Sequence, residues 1–159
     1  MAKKGKGIKR HKSLYPLSHH HQNGLAIALF LKRAETEEST FTVEEIKQKL
    51  QRFWESGGNE HFRDEEELLL PAYARYVSLD EPEISEMLVE HVHIRALVQQ
   101  VLETTGTDDG VEAMHRLGTI LEQHIRKEER VIFPMMEKVL PEDVLERLHP
   151  RFHQVDPPS

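Results

Sequence analysis

The chain has 159 residues, 31% of them charged and 38% apolar, enough for one domain with a single real core. It contains no cysteine, which excludes disulfides, thiolate zinc sites and iron–sulfur clusters. The net charge of −7 includes six basic residues and no acid within residues 1–12, so the remainder carries −13, a body unsuited to nucleic acid.

Residues 1–13 read as a basic, flexible arm that solubilises the N-terminus. Its lysines have no apolar segment behind them, and no run approaches the ~20 apolar residues of a membrane span. Neither a secretory leader nor a membrane partner is expected, and the expected address is the cytoplasm. From Leu17 to about Glu35, Leu25, Ala28, Leu29 and Lys32 recur at helical steps. Thr42-Val43-Glu44-Glu45 forms a capping box opening a second helix, which should break or kink at Gly57-Gly58 and resume near Asn59. That helix should bend at Pro71, which removes a backbone hydrogen bond, and end around Tyr76.

Asp80 caps a third helix with Pro82 in its first turn, an apolar stripe of Ile84, Leu88, Val98 and Leu102, and Gly106 as its stop. Asp109 caps a fourth that bends or ends near Pro134, and Pro141 begins a short last helix to about Leu148. Nothing alternates like a strand. The predicted fold is all-α: an up-down-up-down four-helix bundle over residues 14–149 with a short extra C-terminal helix, then a tail at 150–159.

An eleven-residue phrase occurs twice. His61-Phe62-Arg63-Asp64-Glu65-Glu66-Glu67-Leu68-Leu69-Leu70-Pro71 returns as His124-Ile125-Arg126-Lys127-Glu128-Glu129-Arg130-Val131-Ile132-Phe133-Pro134. The histidine, the arginine, two glutamates and the proline keep their places. On a helix, residues four apart share a face, so His61 projects with Glu65 and His124 with Glu128. That face continues into Leu68 and Leu69, and into Val131 and Ile132, which makes it the core side. Two uncompensated carboxylates in one core would cost many kcal/mol, and a cation between the helices removes the cost.

The other helices add imidazoles. His91 lies on the Ile84/Leu88/Val98 face, while His93 lies about 200° around and should be solvated. Within His19-His20-His21, His21 is in phase with Leu17 and Leu25 and is favoured, with His20 next. His11, His115, His149 and His153 have no assigned role. Four imidazoles and two carboxylates exceed the needs of one ion and suit two ions bridged by both carboxylates. Ligation by nitrogen and oxygen without sulfur favours iron, then manganese or zinc. The string His-Glu-x-x-His, a glycine-rich phosphate loop and a Gly-x-Ser-x-Gly elbow are absent.

These residues resemble the hemerythrin-like family, the HHE cation-binding domain, from about Leu14 to Val139. The most specific parts are the two His-x-x-x-Glu…Pro copies and Glu90-His91. Lys9-Arg10-His11-Lys12-Ser13-Leu14, with Leu17-Ser18 and the histidine run, is similar to the start of a bacterial branch. The resemblance implies a bundle holding two non-heme iron ions with bridging carboxylates and an oxo or hydroxo bridge. Carried over by position, the metal ligands are His21, His61, Glu65, His91, His124 and Glu128.

Two positions depart from the oxygen-carrying members. Arg95 stands where they have a second histidine on the third helix, and their last carboxylate falls at Glu129. Glu128 is preferred because it mirrors Glu65. The missing histidine opens one iron and argues against simple oxygen carriage. Arg63, Arg95 and Arg126 are candidates to orient carboxylates at the site. The expected function is binding or sensing dioxygen, nitric oxide, or redox and iron state. The alternative is an enzyme acting on peroxide or nitric oxide, or an iron donor in repair of metal centres.

Overall fold

The computed structural model describes residues 9–104 and 107–153, with the backbone only at 107–109. Among these residues there are five helices and no strand: α1 (Tyr15–Arg33), α2 (43–73), α3 (Pro82–Glu103), α4 (107–139) and α5 (Glu142–Leu148). The first four run up-down-up-down as a bundle and α5 folds back at one end. No described helix is long and apolar enough to cross a membrane.

Local chemistry sets most of the boundaries. Thr42 accepts from the Glu45 amide at 3.1 Å and Glu45 from the Thr42 amide at 2.8 Å, the reciprocal cap expected for α2. The start of α3 differs from expectation: Glu81, not Asp80, holds the cap position, one residue ahead of Pro82. The Glu81 carboxylate caps nothing and instead accepts from the Tyr73 hydroxyl at 3.1 Å. Gly106, the expected stop of α3, lies outside the described residues, and α4 begins at Thr107, ahead of Asp109. The buried stripe of α1 is Leu17, His21, Gly24, Ala28 and Leu31 rather than the phase of Leu29, which is 38% exposed.

The expected breaks in α2 and α4 are wide π-helical turns inside continuous helix. They span Trp54–Gly58, Glu65–Leu69 and Glu128–Ile132. The Leu70 amide bonds to the Glu65 carbonyl and the Phe133 amide to that of Glu128, five residues back. These last two turns sit just before Pro71 and Pro134, whose missing N–H and bulky ring they accommodate without ending the helix, while the turn at Trp54–Gly58 holds the glycine pair. Each also inserts one residue into the helical phase. The core-facing pairs are therefore Leu69/Leu70 and Ile132/Phe133, one residue later than Leu68/Leu69 and Val131/Ile132.

α1 packs along α4. Their contact needs Gly118, where a Cβ would lie 2.7 Å from the Ala28 carbonyl oxygen and 2.9 Å from the Lys32 amide nitrogen. Two apolar clusters fill the bundle. One holds Ala28, Leu31, Leu50, Ile94, Val98 and Leu121, and the other Leu17, Leu69, Met87, Ile132 and Phe133. On every long helix the buried histidines and glutamates fall between the two.

The described ends of the chain pack against this frame. The His11 amide donates to Glu137 at 2.7 Å, His149 Nδ1 meets the Ser13 carbonyl at 3.2 Å, and Leu14 and Phe152 join the second cluster. Of the expected flexible arm, the part from Arg10 to Ser13 thus runs along the bundle. The expected tail likewise packs as far as His153, whose amide donates to Asp64 at 2.6 Å.

Candidate metal centre

His21 comes from α1, His61 and Glu65 from α2, His91 from α3, and His124 and Glu128 from α4. None is more than 5% exposed. They form two overlapping sets, His21/His61/Glu65/Glu128 and His91/His124/Glu65/Glu128. In each set the four donor atoms lie within 4.8 Å of one another. Both carboxylates belong to both sets.

The carboxylate oxygens are divided between the sets. Glu65 turns Oε2 to His61 Nε2 (2.8 Å) and Oε1 to His91 Nε2 (3.0 Å). Glu128 turns Oε1 to His21 Nε2 (2.9 Å) and Oε2 to His124 Nε2 (2.9 Å). Several of these close approaches are not aimed as hydrogen bonds: His61 Nε2, His124 Nε2 and both Glu65 oxygens are buried without a hydrogen-bond partner. Buried polar atoms are rarely left so. Four such atoms converging with soft-to-hard nitrogen and oxygen donors fit a cation between them.

The opposite ring nitrogens are held by a second group of glutamates. His21 Nδ1 meets Glu129 at 2.6 Å, His91 Nδ1 meets Glu66 at 2.6 Å, and His124 Nδ1 meets Glu90 at 2.7 Å. An Nδ1–H given to a carboxylate leaves Nε2 as the lone-pair donor toward the cage. Each of these glutamates meets a cation in turn. Glu129 meets Arg10 at 3.0 Å and Ser18 at 2.5 Å, Glu66 meets Arg95 at 3.1 Å, and Glu90 meets Lys127 at 2.6 Å. Only His61 Nδ1 has no partner.

The electrostatics follow from this crowding. Burial opposes an imidazolium at His61, His91 and His124, but carboxylates outweigh it, Glu65 and Glu128 at the first two and Glu128 with Glu90 at His124, and raise them to about 10, about 11 and about 9. Burial also opposes ionisation of Glu129, yet its contacts with His21, Ser18 and Arg10 bring it down to about 2. Glu128 is held well below the usual glutamate range: burial opposes its ionisation, but the imidazoles of His124, His21 and His61 outweigh that. Protons on the imidazoles balance the buried carboxylates wherever a cation does not. His20 behaves oppositely: burial first, then the neighbouring His61 and His21, push it down to about 3.

All six candidates named from sequence are therefore brought together. Of the histidine run, His21 reaches the cage, His20 is buried beside it, and His19 stacks on Tyr15 with 5.6 Å between centroids. His93 is exposed, as expected. Of the three arginines, only Arg95 acts on the cage. It bonds Glu66 and Asn59 (2.6 Å), while Arg63 pairs with Glu60 and Glu67, and Arg126 with Glu122, on the surface. Sequence reasoning missed Arg10, Lys127 and the holding role of Glu66, Glu90 and Glu129. The repeat did carry a signal, because its second glutamate recurs: Glu66 holds His91 and Glu129 holds His21. In each copy the first glutamate faces the cage and the second holds a histidine of a neighbouring helix.

The model of the hemerythrin HHE cation-binding domain matches residues 14–136. The chain belongs to the hemerythrin HHE family. Comparison with curated proteins and with solved structures returns no match. The match spans the first four helices through Met136, including every residue of this HHE cage. Arg10, which holds Glu129, lies ahead of it.

Proposed function

We propose that the cage holds two non-heme iron ions, with an oxo or hydroxo bridge between them, and serves to bind or sense dioxygen, nitric oxide, or redox and iron state. His21 and His61 would hold one ion, His91 and His124 the other, and Glu65 and Glu128 would bridge them. The observation carrying this reading is the division of each carboxylate's oxygens between the two histidine pairs. A single ion would draw donors to one point, whereas this arrangement supplies two.

Bound there, an iron pair supplies reversible one- and two-electron chemistry and affinity for small diatomic ligands. The chain's own residues set the terms. Arg95 turns to Glu66 and Asn59 and has no lone pair to give a metal, so with four donor groups each the ions would keep positions open to a small ligand. Glu66, Glu90 and Glu129 fix three rings in orientation, and the apolar clusters on either side of the cage keep bulk water out.

Metal analysis joined to a visible spectrum with and without oxygen tests the proposal. The expected result is two iron ions per chain and near-ultraviolet charge-transfer bands from a bridged ferric pair. Protein from iron-rich cells that carries no metal overturns it, and stoichiometric manganese or zinc overturns the choice of iron. Peroxide turnover well above that of free iron would make the protein an enzyme rather than a sensor.

A further inference from the structure

Between the C-terminal end of α2 and α5 the surface opens into a cleft of about 350 Å³. Arg75 lines it from the turn just past α2, Arg147 from α5, and Arg151 from the short turn that follows α5. Its floor is hydrocarbon: Leu148 is buried there, and Leu68 and Val144 are half-buried. The cleft shares no residue with the cage.

Its charges are unbalanced. Among the described residues one carboxylate lines the cleft, that of Glu67, and it already accepts from Arg63 at 3.3 Å. Arg147 is tied to Asp143 at 3.1 Å. The guanidinium groups of Arg75 and Arg151 have no partner among the described residues. The chain as a whole holds 28 acids against 21 lysines and arginines, so the cleft is opposite in sign to the body that carries it. Like charges gathered on one cleft repel, and an anion set between them relieves that cost. A second cleft, of about 370 Å³ beside Trp54, shows the contrast, because its Arg95 is already committed to Glu66 and Asn59.

We propose that this cleft binds a small organic phosphate monoester, its phosphate held by Arg75 and Arg151 and its apolar or aromatic body laid on Leu68, Val144 and Leu148. Two free guanidinium groups match the roughly two negative charges of a phosphate monoester at neutral pH, and their planar forks take its oxygens in pairs. The space is larger than a bare phosphate fills, and the hydrocarbon floor is where a ligand body gains from leaving water. Tyr76, 47% exposed and lining the same cleft, offers a ring against which that body can pack.

Phenyl phosphate is the probe, titrated calorimetrically into the purified full chain. Phenol, which has the body without the charge, and inorganic phosphate, which has the charge without the body, are titrated beside it. One ester should bind per chain, about tenfold or more tighter than either fragment. Arg75→Ala and Arg151→Ala should each weaken it about tenfold, and the double variant further. Arg126→Ala, which removes a surface arginine paired elsewhere with Glu122, should leave it unchanged. Methyl shifts induced by the ester in nuclear magnetic resonance should centre on Val144 and Leu148, not on Val98 and Leu102 of the other cleft. No binding of the ester overturns the proposal, as does unchanged affinity in a folded double variant. Phenol binding as tightly as the ester overturns the role of the arginines, and inorganic phosphate binding as tightly overturns the ligand class. Equal weakening in Arg126→Ala, or shifts centred on the other cleft, would place the ester somewhere else and overturn the site.

Discussion

On the His91/His124 side of the cage, both rings are held from behind, by Glu66 and Glu90, and these are tied to Arg95 and Lys127. On the His21/His61 side, Glu129 holds His21, but His61 Nδ1 is bare and the neighbouring position carries a stacked histidine. Glu65 and Glu128 are common to both sides, so the halves differ in preorganisation and not in donor type. A held ring loses little freedom on taking a metal and cannot turn its tautomer away. The His91/His124 half should therefore fill first and empty last. The His21/His61 half, with its bare ring, is the one suited to exchange.

The largest effect should come from the groups the halves share. Glu128→Ala removes an oxygen from both sets, and bound metal should fall from two ions per chain to none. His61→Ala touches only the weaker half and should leave one ion. Metal analysis of the two purified variants decides: one tightly bound ion in Glu128→Ala would mean that the carboxylate is not shared, and none in His61→Ala would mean that the halves are not separable.

Metal removal should expose the charge balance next. With raised folded values, His61, His91 and His124 stabilise the metal-free protein fully below the ordinary histidine value of 6.5. That contribution is lost as pH climbs through about 9, then about 10 and about 11. The lowered Glu128 works in reverse, its contribution fading as pH falls below the ordinary glutamate range. Urea midpoints at pH 7 and pH 10 should drop for chelated protein and hold for loaded protein, whose imidazoles have already surrendered their protons. A metal-free protein equally stable at both pH values would show that the carboxylates are balanced elsewhere.

Smaller effects separate the halves directly. Glu90→Ala frees His124 and should weaken one ion about 10- to 100-fold while the other keeps its affinity. The reciprocal change, His20→Glu, offers His61 the partner that His124 already has and should tighten the weaker ion. Anaerobic cobalt(II) titration, in which the two additions have distinct visible intensities, reads both. Two equal affinities in wild-type protein would erase the asymmetry from which both expectations follow.

Much of this centre was legible in the sequence because it is written at helical spacing. A histidine and glutamate four apart need only α-helix to meet, and the repeat supplied two such pairs. The capping box at Thr42 was legible for the same reason, being local. Phase beyond the cage was not. The wide turns at Glu65–Leu69 and Glu128–Ile132 insert one residue each and move the core from Leu68 and Val131 to Leu70 and Phe133. Periodicity cannot show such a turn, although the proline that closes both copies marks where one is needed. The holding contacts were illegible for another reason. Glu129 to His21 and Arg10 to Glu129 join residues more than a hundred positions apart, and only the packing of α1 on α4 brings them together.

Arg10 gives the smallest and most local test of the comparison. In sequence it is one of six cations in a basic arm, and solvation is the ordinary fate of such a residue. In the fold its side chain is 5% exposed, lies over the Phe133 ring at 5.2 Å, and pairs with Glu129 and with Glu137 at 3.2 Å. It holds the carboxylate that holds His21, one step further from the cage than Glu129 itself. Arg10→Ala should therefore weaken the His21/His61 ion by less than the roughly tenfold expected for losing an anchoring glutamate. The His91/His124 ion should be unaffected, because Arg95 and Lys127 serve that side independently. Arg10→Lys keeps the charge but not the two-pronged geometry, and should fall between the variant and wild type. The cobalt titration again provides the measurement. Equal weakening of both ions would show that Arg10 supports the whole bundle and not one ring, and no change at either would return it to the solvated arm.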